Sequence, residues 1–203
     1  MIAVVSYGVC NVGSILNMLR KINVAATAVS TPAEIEKAQK IILPGVGAFD
    51  NGVTALASLG LIEPVQRRVI RDRVPILGIC LGMQLLGRSS EEGVLDGLGL
   101  IDGKCVKFRT DGVPALKVPH MGWNTIASKK QSPLWNNLGE RARFYFVHSY
   151  HLACAEATDV LATTRYGTEF ASMVQRGNVY GAQFHPEKSH RYGMTLLGNF
   201  AGI

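Results

Sequence analysis

Cys80 lies in a segment whose residue types could support nucleophilic chemistry. It ends an apolar run that begins at Pro75, and a glycine stands two residues away on each side, in the order Gly78-Ile79-Cys80-Leu81-Gly82. The residues that follow have helical character. This is the layout of a nucleophile elbow, in which a sharp strand-to-helix turn exposes the reactive atom and glycines let the neighbouring backbone pack closely. The alternative is a buried structural cysteine, since free cysteines are among the most buried residue types.

His185 is the candidate base for such a nucleophile, and Glu187 is the candidate carboxylate that orients it. Both lie in QFHPE at 183–187, where Pro186 favours an extended backbone at His185. In an extended chain, residues two apart project to the same side. A carboxylate bound to one imidazole nitrogen leaves the other nitrogen facing the thiol. The pattern therefore predicts a Cys-His-Glu triad, and the alternative is a surface histidine beside a turn.

A glycine-containing segment, PGVGAFD at 44–50, follows the third predicted strand. In an open parallel sheet, the loops at the carboxyl ends of the strands form the ligand crevice. Gly45 and Gly47 would let backbone N–H groups approach a substrate, which suits the stabilisation of an oxyanion. The alternative is a plain turn.

Two other motifs resemble functional sites but lack an essential residue. Residues 8–14 have the glycine and serine spacing of a phosphate-binding P-loop, but Gly13 runs directly into Ser14 where the motif needs a lysine. His148 and His151 have metal-ligand spacing but lie in a β-like stretch without an acidic third ligand nearby. We therefore expect neither a nucleotide phosphate site nor a metal site.

The composition indicates a single globular domain over residues 1–203, with 47% hydrophobic and 18% charged residues. Its apolar runs are shorter than the ~18 residues of a membrane span, so no membrane association is expected. The four cysteines are scattered and form no C-x-x-C pair, which favours a reducing, cytoplasmic location. The net charge is +6, partly from QRRVIRDR at 66–73. We interpret that segment as a solvated helix face rather than a nucleic-acid site, because no recognition motif accompanies it.

The order of periodic segments predicts an α/β fold with an open, mostly parallel central sheet, helices on both faces and a β-rich C-terminal half. Continuous apolar strands alternate with helical segments in the first ninety residues, which is typical of parallel βαβ units. The second half is rich in β-forming residues and closes with a helix. Predicted strands are 2–7, 25–29, 40–43, 74–79, 144–152, 160–166, 170–175 and 179–185, with a hairpin turn at 176–178; predicted helices are 14–22, 52–73 (broken near Gly60 and Pro64) and 191–200, and a helix start is predicted at Thr31-Pro32.

The motifs, taken together, resemble those of the class I glutamine amidotransferases. PGVGAFD, GICLGMQ and HPE occur in the order found in that family. Within it, the chain is similar to the glutaminase subunits of imidazole glycerol phosphate synthases. The segments that carry this finer resemblance span nearly the whole chain: YGxxNxGS at 7–14, CLGMQLL at 80–86, SEEG at 90–93, HMGWN at 120–124, YFVHSY at 145–150 and FHPEKS at 184–189.

The resemblance implies a role for each site residue. Cys80 would be the nucleophile, His185 the acid and base, and Glu187 the orienting carboxylate. The PGVG backbone would supply the oxyanion site and would have to reorient for turnover. The residues implied to bind glutamine are Gly45, Val46, Gly47, Leu81, Gln84, Glu92 (at the α-amino group), Ser149 and Tyr150, and those implied to face a partner are Asn11, Trp123 and Tyr145. No metal or organic cofactor is implied.

The resemblance also implies a partner, because ammonia is the useful product and the chain has no second domain to consume it. That partner would be a (β/α)₈ cyclase subunit that makes imidazole glycerol phosphate and an aminoimidazole carboxamide ribotide in histidine biosynthesis. Three alternatives stay open at this stage. The chain could serve pyridoxal phosphate or anthranilate synthesis, act alone as a cysteine hydrolase or peptidase, or be a non-catalytic regulatory subunit or nucleic-acid binder.

Overall fold

The computed structural model describes residues 1–109, 116–139 and 141–203. The strands are β1 (Ile2–Val5), β2 (Ala26–Val29), β3 (Lys40–Gly45), β4 (Ile76–Cys80), β5 (Ser89–Ser90), β6 (Gly103–Lys107), β7 (His120–Thr125), β8 (Ala127–Ser128), β9 (Arg143–His148), β10 (Tyr150–Cys154), β11 (Val160–Tyr166), β12 (Thr168–Arg176) and β13 (Val179–Ala182). The α-helices are α1 (Val12–Lys21), α2 (Pro32–Ile35), α3 (Phe49–Ser58), α4 (Ile62–Ile70), α5 (Leu81–Leu85) and α6 (His190–Gly202). Short 3₁₀ helices cover Pro133–Trp135, Ala157–Asp159 and Pro186–Lys188.

The central sheet has eight strands in the order β2-β1-β3-β4-β13-β12-β11-β8. The strands from β2 to β13 in this order are parallel, and β12, β11 and β8 continue the sheet in antiparallel fashion. A three-stranded sheet (β10-β6-β5) and a two-stranded sheet (β7-β9) lie beside it. The predicted open, mostly parallel sheet with a β-rich second half is confirmed.

Helices cover both faces of the sheet because the parallel strands are apolar on both sides. In β1, Ala3 and Val5 join a core cluster that also contains residues of α2, α3 and α4. Ile2 and Val4 face the opposite way and pack in a second cluster with residues of α1 and α6. Fully burying one such aliphatic side chain stabilises the fold by about 1.5–3 kcal/mol, so the two clusters fix β4 and its carboxyl end between packed layers.

The helical region predicted over 52–73 is two helices, α3 and α4. The predicted break near Gly60 is confirmed, since Gly60 lies between them with φ +64°. The predicted break at Pro64 is wrong: Pro64 lies in the first turn of α4. A proline is tolerated there because the N–H groups of a first turn have no intrahelical acceptor.

The segment predicted as one strand over 144–152 is two strands that belong to different sheets. β9 pairs with β7, and β10 pairs with β6, so the chain changes sheets at Ser149. The alternation of side chains continues through Ser149, which is why the sequence pattern does not indicate the break. β6 and β7 were not predicted, and β7 contains the HMGWN segment.

The basic segment at 66–73 forms ion pairs within the chain. Arg67 pairs with Glu36 and lies 3.4 Å from Glu63, and Arg68 lies 2.7 Å from Asp72. These contacts favour the solvated helix face over a nucleic-acid site. Across the described residues, no helix has both the length and the apolar character needed to cross a membrane.

Candidate active site

Cys80 ends β4 and caps the N-terminus of α5 in a strained backbone conformation. Its φ is +54° and its ψ is −110°, a conformation rarely adopted by a residue with a side chain. The flanking glycines make the turn sterically allowed. A Cβ atom on Gly82 would lie 1.7 Å from the Leu43 carbonyl oxygen, and one on Gly78 would lie 2.6 Å from the Gly82 carbonyl oxygen. The G-x-C-x-G spacing is therefore explained by backbone packing around the cysteine.

The His185 side chain is oriented by Glu187 at short range. The distance between His185 Nδ1 and Glu187 Oε1 is 2.7 Å, and both side chains are buried. The backbone N–H of His185 donates to the Tyr145 carbonyl at 2.9 Å, which holds the segment after β13 against β9. The extended geometry predicted for Glu187 is wrong: the chain turns into a 3₁₀ helix at Pro186–Lys188, and that turn brings the carboxylate back to the imidazole.

The hydrogen bond to Glu187 determines the chemical state of the imidazole. A carboxylate accepts hydrogen bonds, so Nδ1 carries a proton and Nε2 is the nitrogen available for proton transfer. Burial by itself would lower the pKa of His185, but the neighbouring Cys80 and Glu187 raise it to about 9. Within the described residues Nε2 makes no hydrogen bond of acceptable geometry, so it is available to exchange a proton with a substrate.

A cavity of about 330 Å³ opens beside Cys80 and His185. Its volume lies at the small end of the range for ligand pockets and suits an amino-acid-sized ligand. The lining residues come from the loop after β3, the elbow, the 90–93 segment, the β9–β10 corner and the end of β13: Val46, Gly47, Cys80, Leu81, Gln84, Glu92, Pro119, Val147, His148, Ser149, Tyr150, His185 and Lys188.

Most residues predicted for the glutamine pocket line this cavity, and one does not. Gly45 is not part of the cavity lining. It lies in β3, where an added Cβ would approach the Cβ of Leu81 to 2.9 Å. Pro119, Val147, His148 and Lys188 line the cavity without having been predicted. Three of them lie in the YFVHSY and FHPEKS segments, but their residue types did not single them out for substrate binding.

Gln183 is a site residue that sequence reasoning missed. Its Nε2 lies 3.9 Å from Cys80 Sγ, and it is fully buried. Gln183 Oε1 accepts from Gln84 Nε2 at 3.2 Å, and Gln84 Nε2 also donates to the Tyr150 carbonyl at 2.9 Å. Gln84 therefore fixes the orientation of the Gln183 amide, whose N–H points toward the sulfur. The sequence signal that could have identified Gln183 is a glutamine two residues before His185, directly after an apolar run.

In the PGVG segment, the N–H of the Gly45–Val46 peptide points away from the cavity. Val46 N–H donates to the Val9 carbonyl at 2.8 Å, and Gly47 has a φ of +102° that a residue with a side chain rarely adopts. An oxyanion in the cavity could therefore reach Leu81 N–H, in the first turn of α5, but not Val46 N–H. A second donor from this segment requires a rotation of the Gly45–Val46 peptide.

Glu92 connects the cavity wall to helix α3. Its carboxylate lines the cavity, and its Oε2 accepts from Phe49 N–H at 2.9 Å, at the start of α3. The neighbouring Asp50 accepts from the backbone N–H groups of Val94 and Leu95 at 3.0 and 3.1 Å. These contacts hold the 90–95 segment in place. One oxygen of Glu92 is left to face a cationic group in the cavity.

An exposed aromatic patch, defined as Met121, Trp123, Tyr145 and His190, lies next to the cavity. Met121 is 61% exposed and Trp123 is 45% exposed, and the Trp123 ring stacks on His190 with 5.6 Å between ring centroids. In the β7-β9 pair, Met121 lies opposite Val147, which lines the cavity. The third residue predicted to face a partner, Asn11, is exposed and accepts from Ser14 N–H at 3.3 Å as the N-cap of α1.

Two buried histidines, one of which lines the cavity, form a neutral hydrogen-bonded pair. The Tyr150 carbonyl accepts from His148 Nδ1 at 2.8 Å, so His148 Nε2 accepts from His120 Nδ1 at 3.2 Å. Burial lowers the pKa of His120 to about 4 and the pKa of His148 to about 3. Among the described residues, no group of three or more histidine, cysteine or acidic side chains is arranged to hold a metal ion.

We expect the free energy of unfolding to decrease as the pH falls from about 6.5 to about 5, below the pKa of an unfolded histidine. The pKa of a histidine in an unfolded chain is ~6.5. Below that pH the unfolded chain binds protons at His120 and His148, whereas in the folded chain these two side chains stay neutral. Stability from these two residues is thus complete above that pKa and is lost progressively below it. Urea unfolding at both pH values measures the effect. Replacing His120→Gln should reduce the difference between the two pH values, and an undiminished difference would contradict the assignment.

Comparisons with known proteins identify the family. The family model "Glutamine amidotransferase class-I" matches residues 3–201. The chain is 52% identical over 200 residues to the imidazole glycerol phosphate synthase subunit HisH 2 of Methanococcus maripaludis, covering 98% of each chain. It is 47% identical over 204 residues to the subunit of the same name in Pseudomonas aeruginosa, covering 100% of each.

A solved structure agrees at the level of the fold. A chain in the structure of PurLQS from Thermotoga maritima superposes with a TM-score of 0.75 at 19% identity, covering 99% of this chain and 97% of that one. The family match covers nearly the whole chain, and the two relatives are 52% and 47% identical to it. The elbow at Cys80 and the residues of the cavity lie within the matched region. The chain belongs to the class-I glutamine amidotransferase family.

Proposed function

We propose that this chain hydrolyses glutamine to glutamate and ammonia, as one catalytic domain, and that it delivers the ammonia to a cyclase subunit of an imidazole glycerol phosphate synthase. The observation that carries the proposal is the meeting of Cys80, on its strained elbow, with the Glu187-oriented His185 in one cavity of amino-acid size. The names of the relatives in Methanococcus maripaludis and Pseudomonas aeruginosa support the assignment to this synthase.

In the first half of the reaction, the Cys80 thiolate attacks the γ-amide carbon of glutamine. A C–S bond forms, and the carbonyl electron pair moves onto the oxygen. Leu81 N–H, together with a rotated Val46 N–H, stabilises this oxyanion; losing one such donor costs on the order of 10²–10³ in rate. The intermediate collapses with cleavage of the C–N bond, and the leaving nitrogen takes the proton from His185 Nε2. Ammonia departs and a glutamyl thioester remains.

In the second half, water hydrolyses the thioester. His185 Nε2 accepts a proton from the attacking water, a C–O bond forms, and the C–S bond breaks to regenerate the thiolate. The imidazolium formed in this step is the proton donor for the next cycle, the new carboxyl group gives up its proton to solvent, and glutamate leaves. Glu187 stabilises the imidazolium in both halves. In the same proposal, Glu92 receives the α-amino group of glutamine, and Ser149 and Tyr150 contact the substrate from the β9–β10 corner.

The aromatic patch is the proposed docking surface for the cyclase, a (β/α)₈ barrel in this proposal. Tryptophan, tyrosine and methionine are enriched at protein interfaces, and contiguous exposed apolar patches mark interaction sites. The patch adjoins the cavity through β9, so a partner seated there would receive ammonia as it leaves. Asn11 is proposed to reach the same partner from the start of α1. A cytoplasmic location fits the four unpaired cysteines.

The proposal is tested by measuring glutamate release from glutamine by the chain alone and then with a cyclase subunit and its nucleotide substrate. We expect a low rate alone, because Val46 N–H is turned away from the cavity, and a rise of orders of magnitude in the mixture. The variant Trp123→Ala should weaken the dependence on the cyclase, whereas Leu59→Ala, which removes an exposed residue at the end of α3, should not. A rate unaffected by the cyclase, with Cys80 still reactive, would contradict the choice of partner.

A further inference from the structure

The hydroxyl group of Tyr7 is buried without a hydrogen-bond partner among the described residues. Tyr7 follows β1, is 3% exposed, and its Oη is one of the unpaired buried atoms. A Cβ on Gly45 would lie 2.5 Å from this oxygen and 2.9 Å from the Cβ of Leu81. The hydroxyl is therefore inserted between the PGVG segment and the elbow. Burial raises its pKa, and Cys10 and Cys80 raise it further.

An unpaired hydroxyl at this position is costly in the resting state. Leaving a buried polar group unsatisfied destabilises the fold, whereas a phenylalanine would fill the same space without that penalty. The cost is understandable if the hydroxyl acquires a partner in another state of the site. The neighbouring peptide, Gly45–Val46, is the element that has to change its orientation for the oxyanion to gain a second donor.

The geometry of a trans peptide determines where the carbonyl of Gly45 goes when that peptide rotates. The C=O and N–H of one peptide point in opposite directions. Val46 N–H now points to the Val9 carbonyl, so rotation into the cavity turns the Gly45 carbonyl toward the segment that contains Tyr7 and Val9. The Val9 carbonyl is an acceptor and cannot pair with it. Tyr7 Oη–H is a donor already located against Gly45.

We propose that the Tyr7 hydroxyl is a positioning residue that donates a hydrogen bond to the Gly45 carbonyl in the catalytic arrangement and so holds Val46 N–H toward the oxyanion. The bond replaces the one that Val46 N–H gives up at Val9. This inference rests on the proposed glutaminase function. It concerns the arrangement of the site and not the binding of glutamine in the resting state.

The variant Tyr7→Phe tests the proposal because it removes the hydroxyl and keeps the ring. In the complex with the cyclase and its substrate, we expect kcat for glutamine hydrolysis to fall about 5- to 10-fold, the effect of one hydrogen bond of about 1 kcal/mol or slightly more. KM for glutamine should stay unchanged, and the melting temperature should stay equal or rise. Tyr180→Phe removes the hydroxyl of a buried tyrosine on β13, where its ring packs on Phe200, and should leave kcat unchanged.

Two results with Tyr7→Phe would overturn the proposal. One is a kcat of Tyr7→Phe equal to that of the unmodified chain. The other is a fall in melting temperature that accompanies the loss of activity, because it would give the hydroxyl a role in the resting fold instead.

A structure of the complex with the cyclase and its substrate, in which Cys80 is alkylated by a diazoketone analogue of glutamine, provides a second, independent test. The proposal expects Tyr7 Oη within ~3 Å of the Gly45 oxygen, the usual length of such a bond. If Cys80 reacts and the hydroxyl still lacks this partner, only the inference about Tyr7 is overturned. If Cys80 does not react with the analogue, the proposed function fails first, and this inference fails with it.

Discussion

Replacing Cys80→Ser should reduce glutamate release from glutamine by at least ~10³-fold, because removing the nucleophile of a triad abolishes the covalent route. A serine hydroxyl is far less ionised than a thiol at neutral pH. The variant should fold normally, since it keeps the size and position of the side chain. The measurement is the initial rate of glutamate formation in the complex with the cyclase.

The matched control is Cys154→Ser, the same chemical change on β10 and outside the cavity lining. Its activity should match that of the unmodified chain. If Cys80→Ser retained turnover within about tenfold, the elbow would be a structural corner and the covalent mechanism would be wrong. The cysteine hydrolase alternative differs from the proposal in another way, since it expects activity on esters or peptides without any partner.

Replacing Glu187→Gln should lower turnover by about 10³–10⁴-fold, comparable to the loss of the carboxylate in other triads. The amide has nearly the same shape, so the cavity stays intact and KM for glutamine should change little. Its charge is lost, and with it one of the two influences that raise the pKa of His185 to about 9. The imidazolium formed in each half-reaction then lacks its counter-charge inside a buried site.

An NMR titration of His185 separates this electrostatic effect from a loss of structure. We expect the pKa of His185 to be lower in Glu187→Gln than in the unmodified chain. Glu63→Gln, the same substitution on the exposed side of α4, should change neither that pKa nor the turnover. An unchanged titration of His185 in Glu187→Gln would rule out the assigned role of the carboxylate.

Local residue patterns were sufficient to predict the parallel sheet and the elbow. The apolar runs at β1, β3 and β4 are long and uninterrupted, so burial on both faces dominates any other preference. The glycines around Cys80 have a steric reason that depends on residues close in sequence and on the adjacent strand β3. Such features are predictable because short-range geometry and burial act in the same direction.

Features that depend on long-range contacts were not predictable from the pattern. The chain changes sheets at Ser149 because β9 and β10 have different partners, and those partners are distant in sequence. Glu187 reaches His185 through a 3₁₀ turn rather than an extended strand. Gln183 and Tyr7 acquire their importance from atoms of Gln84, Gly45 and the elbow, which lie far away along the chain.

The central claim is that Cys80 is the nucleophile that attacks glutamine. The most direct test is to label the chain with a diazoketone analogue of glutamine and to identify the labelled cysteine by mass spectrometry. The other three cysteines provide internal controls, because burial raises the pKa of Cys10 and Cys105 and raises that of Cys154 to about 12. The account predicts one label per chain, on Cys80, that forms more slowly when glutamine is present. Labelling at another cysteine, or unlabelled Cys80 in a chain that still releases glutamate, would contradict it.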